Sequence, residues 1–196
     1  WKKLSVVAKG PKGGNRTHLA VGLAHNEDIL CFSSGFFVKG EKIIGFSGHW
    51  LSRSSDSGKS WKYESKPMVP KGIESTIPFG RIIQLGPDEL VYSCYLSQGY
   101  GNPSETWMVS SYDDGQTWTH KTKFGSNDSN EATLCNLGEG GLLAATRTHI
   151  DHHVKLCELT QIGKRWKEKF PLTLPMQHPA DLICLSDKCL LLTYGI

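Results

Sequence analysis

Apolar residues along this chain come in short runs broken by small polar turns, and the runs recur. Residues 81–95, RIIQLGPDELVYSCY, run apolar, then Gly-Pro-Asp-Glu, then apolar again with tyrosines and a cysteine. Residues 133–147, TLCNLGEGGLLAATR, repeat the scheme around Gly-Glu-Gly-Gly, and residues 181–195, DLICLSDKCLLLTYG, repeat it around Ser-Asp-Lys-Cys. A looser copy with a longer turn occupies residues 19–35. β-Rich runs joined by turns of this kind predict hairpins. Almost no stretch has the 3.6-residue spacing of an amphipathic helix; GKRWKEKF is too short and too charged.

The copies keep a common spacing. The leucines before each turn, Leu23, Leu85, Leu137 and Leu185, lie 62, 52 and 48 residues apart. Trp61, Trp118 and Trp166 follow at intervals of 57 and 48. Two of these tryptophans close the same motif, Ser-x-Asp-x-Gly-x-Ser/Thr-Trp: Ser54, Asp56, Gly58, Ser60 and Trp61, then Ser111, Asp113, Gly115, Thr117 and Trp118. The third copy keeps only Gly163 and Trp166, and Trp1 is expected to be the last residue of an earlier motif. In a tight turn between strands an aspartate accepts backbone N–H bonds, glycine supplies backbone freedom, and tryptophan packs into the core. The motif residues are therefore expected to be structural. A repeat of about 50 residues holding four short strands is what a propeller blade requires. The expected blades are 10–65, 75–122, 129–170 and an incomplete 177–196.

Composition narrows the picture. Aromatic residues make up 10% and charged residues 21%, as in an ordinary globular domain. The net charge of +3 is small and the basic residues are scattered, which leaves no footprint for nucleic acid or a membrane surface. No apolar run is long enough to form a transmembrane segment. The six cysteines are widely spaced, mostly in apolar runs and without a CxxC, so buried free thiols are expected ahead of disulfides. Sequons at Asn15 and Asn127 have meaning only in a secreted, lysosomal or other lumenal protein; otherwise they are chance matches.

The two Ser-x-Asp-x-Gly-x-Ser/Thr-Trp copies resemble the Asp-box of the BNR repeat found in sialidases (neuraminidases) and related propellers. That resemblance implies an all-β, six-bladed sialidase-type β-propeller, of which this chain would hold about three and a half blades, with the Asp-boxes at the periphery and the active site on the central axis. It implies a retaining exo-sialidase that releases terminal sialic acid from glycoconjugates, using three arginines on the sugar carboxylate, a tyrosine nucleophile polarised by a glutamate, and an aspartate acid/base, with no cofactor and no metal. Residues 129–149, SNEATLCNLGEGGLLAATRTH, are similar to the sialidase segment in which that glutamate opens an inner strand and an arginine closes the next. By this carry-over Glu131 is catalytic and Arg147 binds the substrate carboxylate. Arg81, His178 and Asp181 sit at corresponding strand starts and are further candidates for lining the site, with a surface ion pair as the alternative for Arg81. His149, Asp151, His152 and His153 form a cluster whose spacing fits no common zinc pattern, so a polar loop above the pocket is the expected role. The nucleophile is not assigned: Tyr194 lies within a strand repeat, and Tyr92, Tyr95 and Tyr100 belong to another blade. Together with the acid/base and the remaining arginines it is expected in further blades, so this chain alone is expected to be inactive. The partner implied is a sialylated glycoconjugate or another anionic glycan. The alternatives are a non-catalytic Asp-box propeller that binds glycans or proteins, and a related hydrolase of neutral glycans.

Overall fold

A computed structural model describes residues 4–64, 67–97, 103–139, 141–150, 152–160, 165–186 and 189–196. Trp1, Tyr100, Asp151 and Gly163 lie outside them. Among the described residues there is no helix, hence none long and apolar enough to cross a membrane. The strands follow one another as antiparallel meanders. The first contains β1 (His18–Leu23), β2 (Ile29–Lys39), β3 (Lys42–Ser54) and β4 (Lys62–Glu64). The second contains β5 (Ile77–Gln84), β6 (Leu90–Ser97), β7 (Ser104–Ser111) and β8 (His120–Phe124). The third contains β9 (Ser129–Gly138), β10 (Gly141–Thr148), β11 (Val154–Thr160) and β12 (Arg165–Pro171), and a hairpin of β13 (Ala180–Cys184) and β14 (Leu190–Tyr194) follows. The first two meanders join into one eight-stranded sheet because β1 and β5 pair in parallel at Ala20–Gly80 and Val21–Arg81. No closed barrel forms among the described residues.

That parallel contact places the first strand of each meander innermost. Gly22 permits it: a Cβ there would come within 1.9 Å of the Ile82 carbonyl oxygen, so only glycine lets the two backbones approach. The next inner pair uses Gly80, at φ 80°, against Ala132 and Thr133 of β9.

The meanders pack face to face, and this explains why their sequences read as unbroken apolar runs. In β6 the side chains alternate between faces. Leu90 and Tyr92 join Ala20, Leu30, Phe32 and Leu51 of the first meander, while Val91 turns the other way to meet Ala132, Leu134 and Leu142 of the third. In β10, Leu142 and Ala144 face the second meander, and Leu143 and Ala145 face Ala180 and Leu182 of the last hairpin. A strand buried on both sides has no polar face to alternate with.

The recurring tryptophans sit in these interfaces. Trp118 is 1% exposed and meets Phe32 at 5.1 Å and Tyr92 edge-on at 5.0 Å. Trp166 stacks on Phe124 at 4.5 Å. Trp61 is only half-buried, and its Nε1 donates to Ser5 Oγ at 3.0 Å. The turns before Trp61 and Trp118 are built alike. Ser54 Oγ accepts from Gly58 N (2.9 Å) and donates to Asp56 Oδ1 (2.8 Å), which also accepts from Ser60 N (2.8 Å). Ser111, Asp113, Gly115 and Thr117 repeat these bonds at the same three distances. The donors from Ser60 and Ser54 hold the Asp56 carboxyl down at about 2. At Asp113 burial pushes upward, but the bonds from Thr117 and Ser111 together outweigh it and keep its pKa below the ordinary carboxylate value.

Cys31, Cys94, Cys135, Cys157 and Cys184 are free thiols; the first four are buried, and burial lifts the Cys94 thiol to about 12.

Candidate functional site

In an up-and-down meander the turns alternate between two ends, so the starts of β1, β5 and β9 lie opposite the Asp56 and Asp113 turns. Polar groups gather at the starts. Glu131 is near the beginning of β9 and Arg147 near the end of β10, with a bulge between them: Thr146 pairs with Ala132 and Thr148 with Ser129, leaving Asn130 and Glu131 opposite Arg147 alone. Such a bulge re-aims side chains locally. Here Arg147 Nη1 donates to Glu131 Oε2 at 2.9 Å, with the two side chains only 20% and 17% exposed. Arg147 Nη2 lies 3.4 Å from Nδ1 of His152, and Arg147 Nε is buried without a hydrogen-bond partner among the described residues.

Other groups face this pair from separate elements. His178, in the loop before β13, stands against His152 with ring centroids 5.5 Å apart. Burial lowers its pKa, as do the charges of Arg147 and His152, while Glu131 opposes them. His149 is lowered by burial and then by Arg147 and His152. His18, at the start of β1, is lowered by burial against the pull of Glu131.

Tyr95, near the end of β6, is the residue that sequence reasoning set aside. It is 5% exposed. Burial raises its phenol well above the ordinary value, and the Glu131 carboxylate adds to this while Arg147 opposes it. Its pairing with Ile77 at the start of β5 brings the end of β6 to the Glu131 end of the sheets.

Arg81 and Asp181 lie further along the inner strands and meet each other. Arg81 Nη2 pairs with Asp181 Oδ2, and Asp181 Oδ1 accepts from Thr133 Oγ1 at 2.9 Å, so β5, β9 and β13 are laced together. These side chains are 41% and 45% exposed. Asp181 also lines a cavity of about 480 Å³ with Leu19, Phe79, Ala180 and Tyr194. The structure therefore forms two polar groups: Glu131, Arg147 and His178 at the strand starts, and Arg81, Thr133 and Asp181 beside them. Among the described residues no group of three or more His, Cys, Asp or Glu side chains is arranged to hold a metal ion. Of the two sequon asparagines, Asn15 Oδ1 accepts from Phe36 N at 2.9 Å, whereas Asn127 is exposed in the loop before β9.

Solved structures share this arrangement of strands. A protein of unknown function from Dyadobacter fermentans superposes with TM-score 0.72 at 21% identity, over 91% of this chain and 56% of its own. A Hadza microbial sialidase superposes with TM-score 0.71 at 18% identity, over 93% and 40%. The NanB sialidase of Streptococcus pneumoniae gives 0.67 at 11% identity, over 91% and 43%. The fold resembles that of sialidase-like propellers. This chain spans about half the length of these structures or less. Identities this low establish the fold alone. No protein-family model and no curated protein sequence matches the chain.

Proposed function

We propose that this chain is part of a six-bladed sialidase-like propeller, with blades near residues 10–65, 75–122, 129–170 and 177–196, and that the whole protein is a retaining exo-sialidase. The observation that carries this reading is the Glu131–Arg147 pair, held where β9 starts and β10 ends in a fold that resembles that of sialidases. Glu131 ties up one terminal nitrogen of the guanidinium. The other terminal nitrogen, 3.4 Å from His152 Nδ1, is offered to a sugar carboxylate, which a planar guanidinium grips well. In the reaction Glu131 takes the proton of a tyrosine hydroxyl as the phenol oxygen attacks the anomeric carbon and the aglycone leaves with a proton from an acid. A neutral tyrosine suits an anionic sugar that would repel a carboxylate nucleophile. The tyrosine, the acid and further arginines belong to the remaining blades. The Ser54–Trp61 and Ser111–Trp118 turns are Asp-boxes with a structural role, at the far end of the strands.

A second reading is glycan binding without hydrolysis. It holds where no further blade brings a tyrosine to Glu131, because Tyr95 is buried and its phenol is raised by that burial, which makes it a poor nucleophile. Hydrolysis of a fluorogenic α-sialoside by the complete protein separates the two. Turnover that falls at least about 100-fold in both Glu131→Gln and Arg147→Ala supports the enzyme. Turnover unchanged in both variants rules out this site, and sialoside binding without turnover in the wild type supports the second reading.

A further inference from the structure

Arg147 does not stand alone as a cation. One terminal nitrogen is held by Glu131 at 2.9 Å, and the other faces Nδ1 of His152 at 3.4 Å. A neutral His152 can accept from Arg147 through that nitrogen. A protonated one cannot, because both groups are then donors and the space between them calls for a shared acceptor. His178 extends the same surface: its ring lies 5.5 Å from that of His152 at an interplanar angle of 32°, and its Nδ1 is buried without a hydrogen-bond partner among the described residues. Nitrogen-bearing side chains from the end of β10, the turn after it and the loop before β13 thus lie side by side, with the Glu131 carboxylate on the other terminal nitrogen of the guanidinium.

We propose that Arg147, His152 and His178 together form the seat for the ligand carboxylate, and that the carboxylate enters with a proton taken up by the histidines. This deepens the proposed function and rests on its reading of Arg147. One carboxylate oxygen bridges Arg147 Nη2 and His152 Nδ1–H, and the other accepts from His178 Nδ1–H. The charged groups facing this seat are Glu131 from β9, Asp128 from the loop before it, and His149 after β10. His18 of β1 and Tyr95 of β6 stand behind Glu131, with Tyr95 held neutral. Without ligand, burial and the neighbouring cations keep His178 below its ordinary value. An anion reverses the second effect, so the bound protein holds more protons than the free one. By linkage, affinity rises as pH falls through the window below the ordinary histidine value.

The experiment is calorimetric titration of the complete protein with N-acetylneuraminic acid at about pH 7.5 and about pH 5.5, in buffers of different ionisation enthalpy. The expected result is affinity roughly tenfold higher at the lower pH, with uptake approaching one proton. In the His152→Gln, His178→Gln double variant, which keeps polar side chains but cannot hold the proton, the uptake disappears and the pH dependence flattens. If the double variant keeps the wild-type uptake, the histidines are not the source and the inference fails, even while Arg147→Ala abolishes binding and upholds the proposed function. If Arg147→Ala binds as the wild type does, the proposed function itself fails. If the wild type does not bind at either pH, both fall.

Discussion

Trp118 and Trp61 close the same motif but are covered differently, and this sets up a differential test. Trp118 is 1% exposed and lies against Phe32 and Tyr92, where the first two meanders meet. Replacing a fully buried tryptophan by alanine costs about 3–5 kcal/mol, because the surroundings relax only partly into the void. Two edge-on aromatic contacts place Trp118→Ala toward the top of that range. Trp61 is half-buried against the amino-terminal segment, with one bond from Nε1 to Ser5. Losing half the burial and one hydrogen bond costs about 1–2 kcal/mol. Urea unfolding followed by tryptophan fluorescence and circular dichroism should therefore separate the two variants by at least about 2 kcal/mol, with unchanged slopes. Equal losses would show that the motif tryptophan does not act by cementing neighbouring meanders, and the reading of the repeat would have to change.

Three further outcomes follow from the geometry. Gly22→Ala should cost about 3 kcal/mol or more, or prevent folding, because the new Cβ meets the Ile82 carbonyl at 1.9 Å; a neutral result in thermal unfolding would mean that β1 and β5 are not so close. Asp113→Ala should lose about 1–3 kcal/mol by urea unfolding after allowance for solvent around the turn, and Asp113→Asn less, since an amide oxygen still accepts from Thr117 N; a larger loss for Asn would contradict this. His49 is buried near Tyr92 and Thr76, and burial drives its pKa from 6.5 to about 4. The unfolded chain then takes the proton first. Its contribution is whole above pH 6.5 and lost as pH falls to about 4, for a total of about 3 kcal/mol. His49→Gln should remove that part of the acid destabilisation in unfolding curves across the window, and an unaltered curve would refute the assignment.

The fold was legible because of a physical constraint that acts on every copy. Strands stacked between two sheets must be apolar on both faces, so each hairpin announces itself as two unbroken runs around a polar turn. Leu23 ends β1, Leu137 lies in β9, and Leu85 and Leu185 follow β5 and β13 directly, so the regular leucine spacing marks one end of the innermost strands. Of the third motif, Trp166 still stacks on Phe124, so packing accounts for the tryptophan that it keeps. The adjacency of Glu131 and Arg147 was legible from hairpin geometry. Tyr95 was not, because it reaches Glu131 only through the stacking of two meanders, which no periodicity within either one encodes. Nor could the corresponding positions of Arg81 and Asp181 show that these side chains would turn to one another and to Thr133.

The central question is where an anionic sugar binds, and the most direct measurement is a structure of the complete protein with N-acetylneuraminic acid. The carboxylate is predicted on Arg147, beside His152 and His178, with Glu131 still paired to Arg147 Nη1. A sugar found instead in the cleft of about 500 Å³ lined by Ser47, Trp50, Val69 and Glu74, with Arg147 untouched, would contradict it.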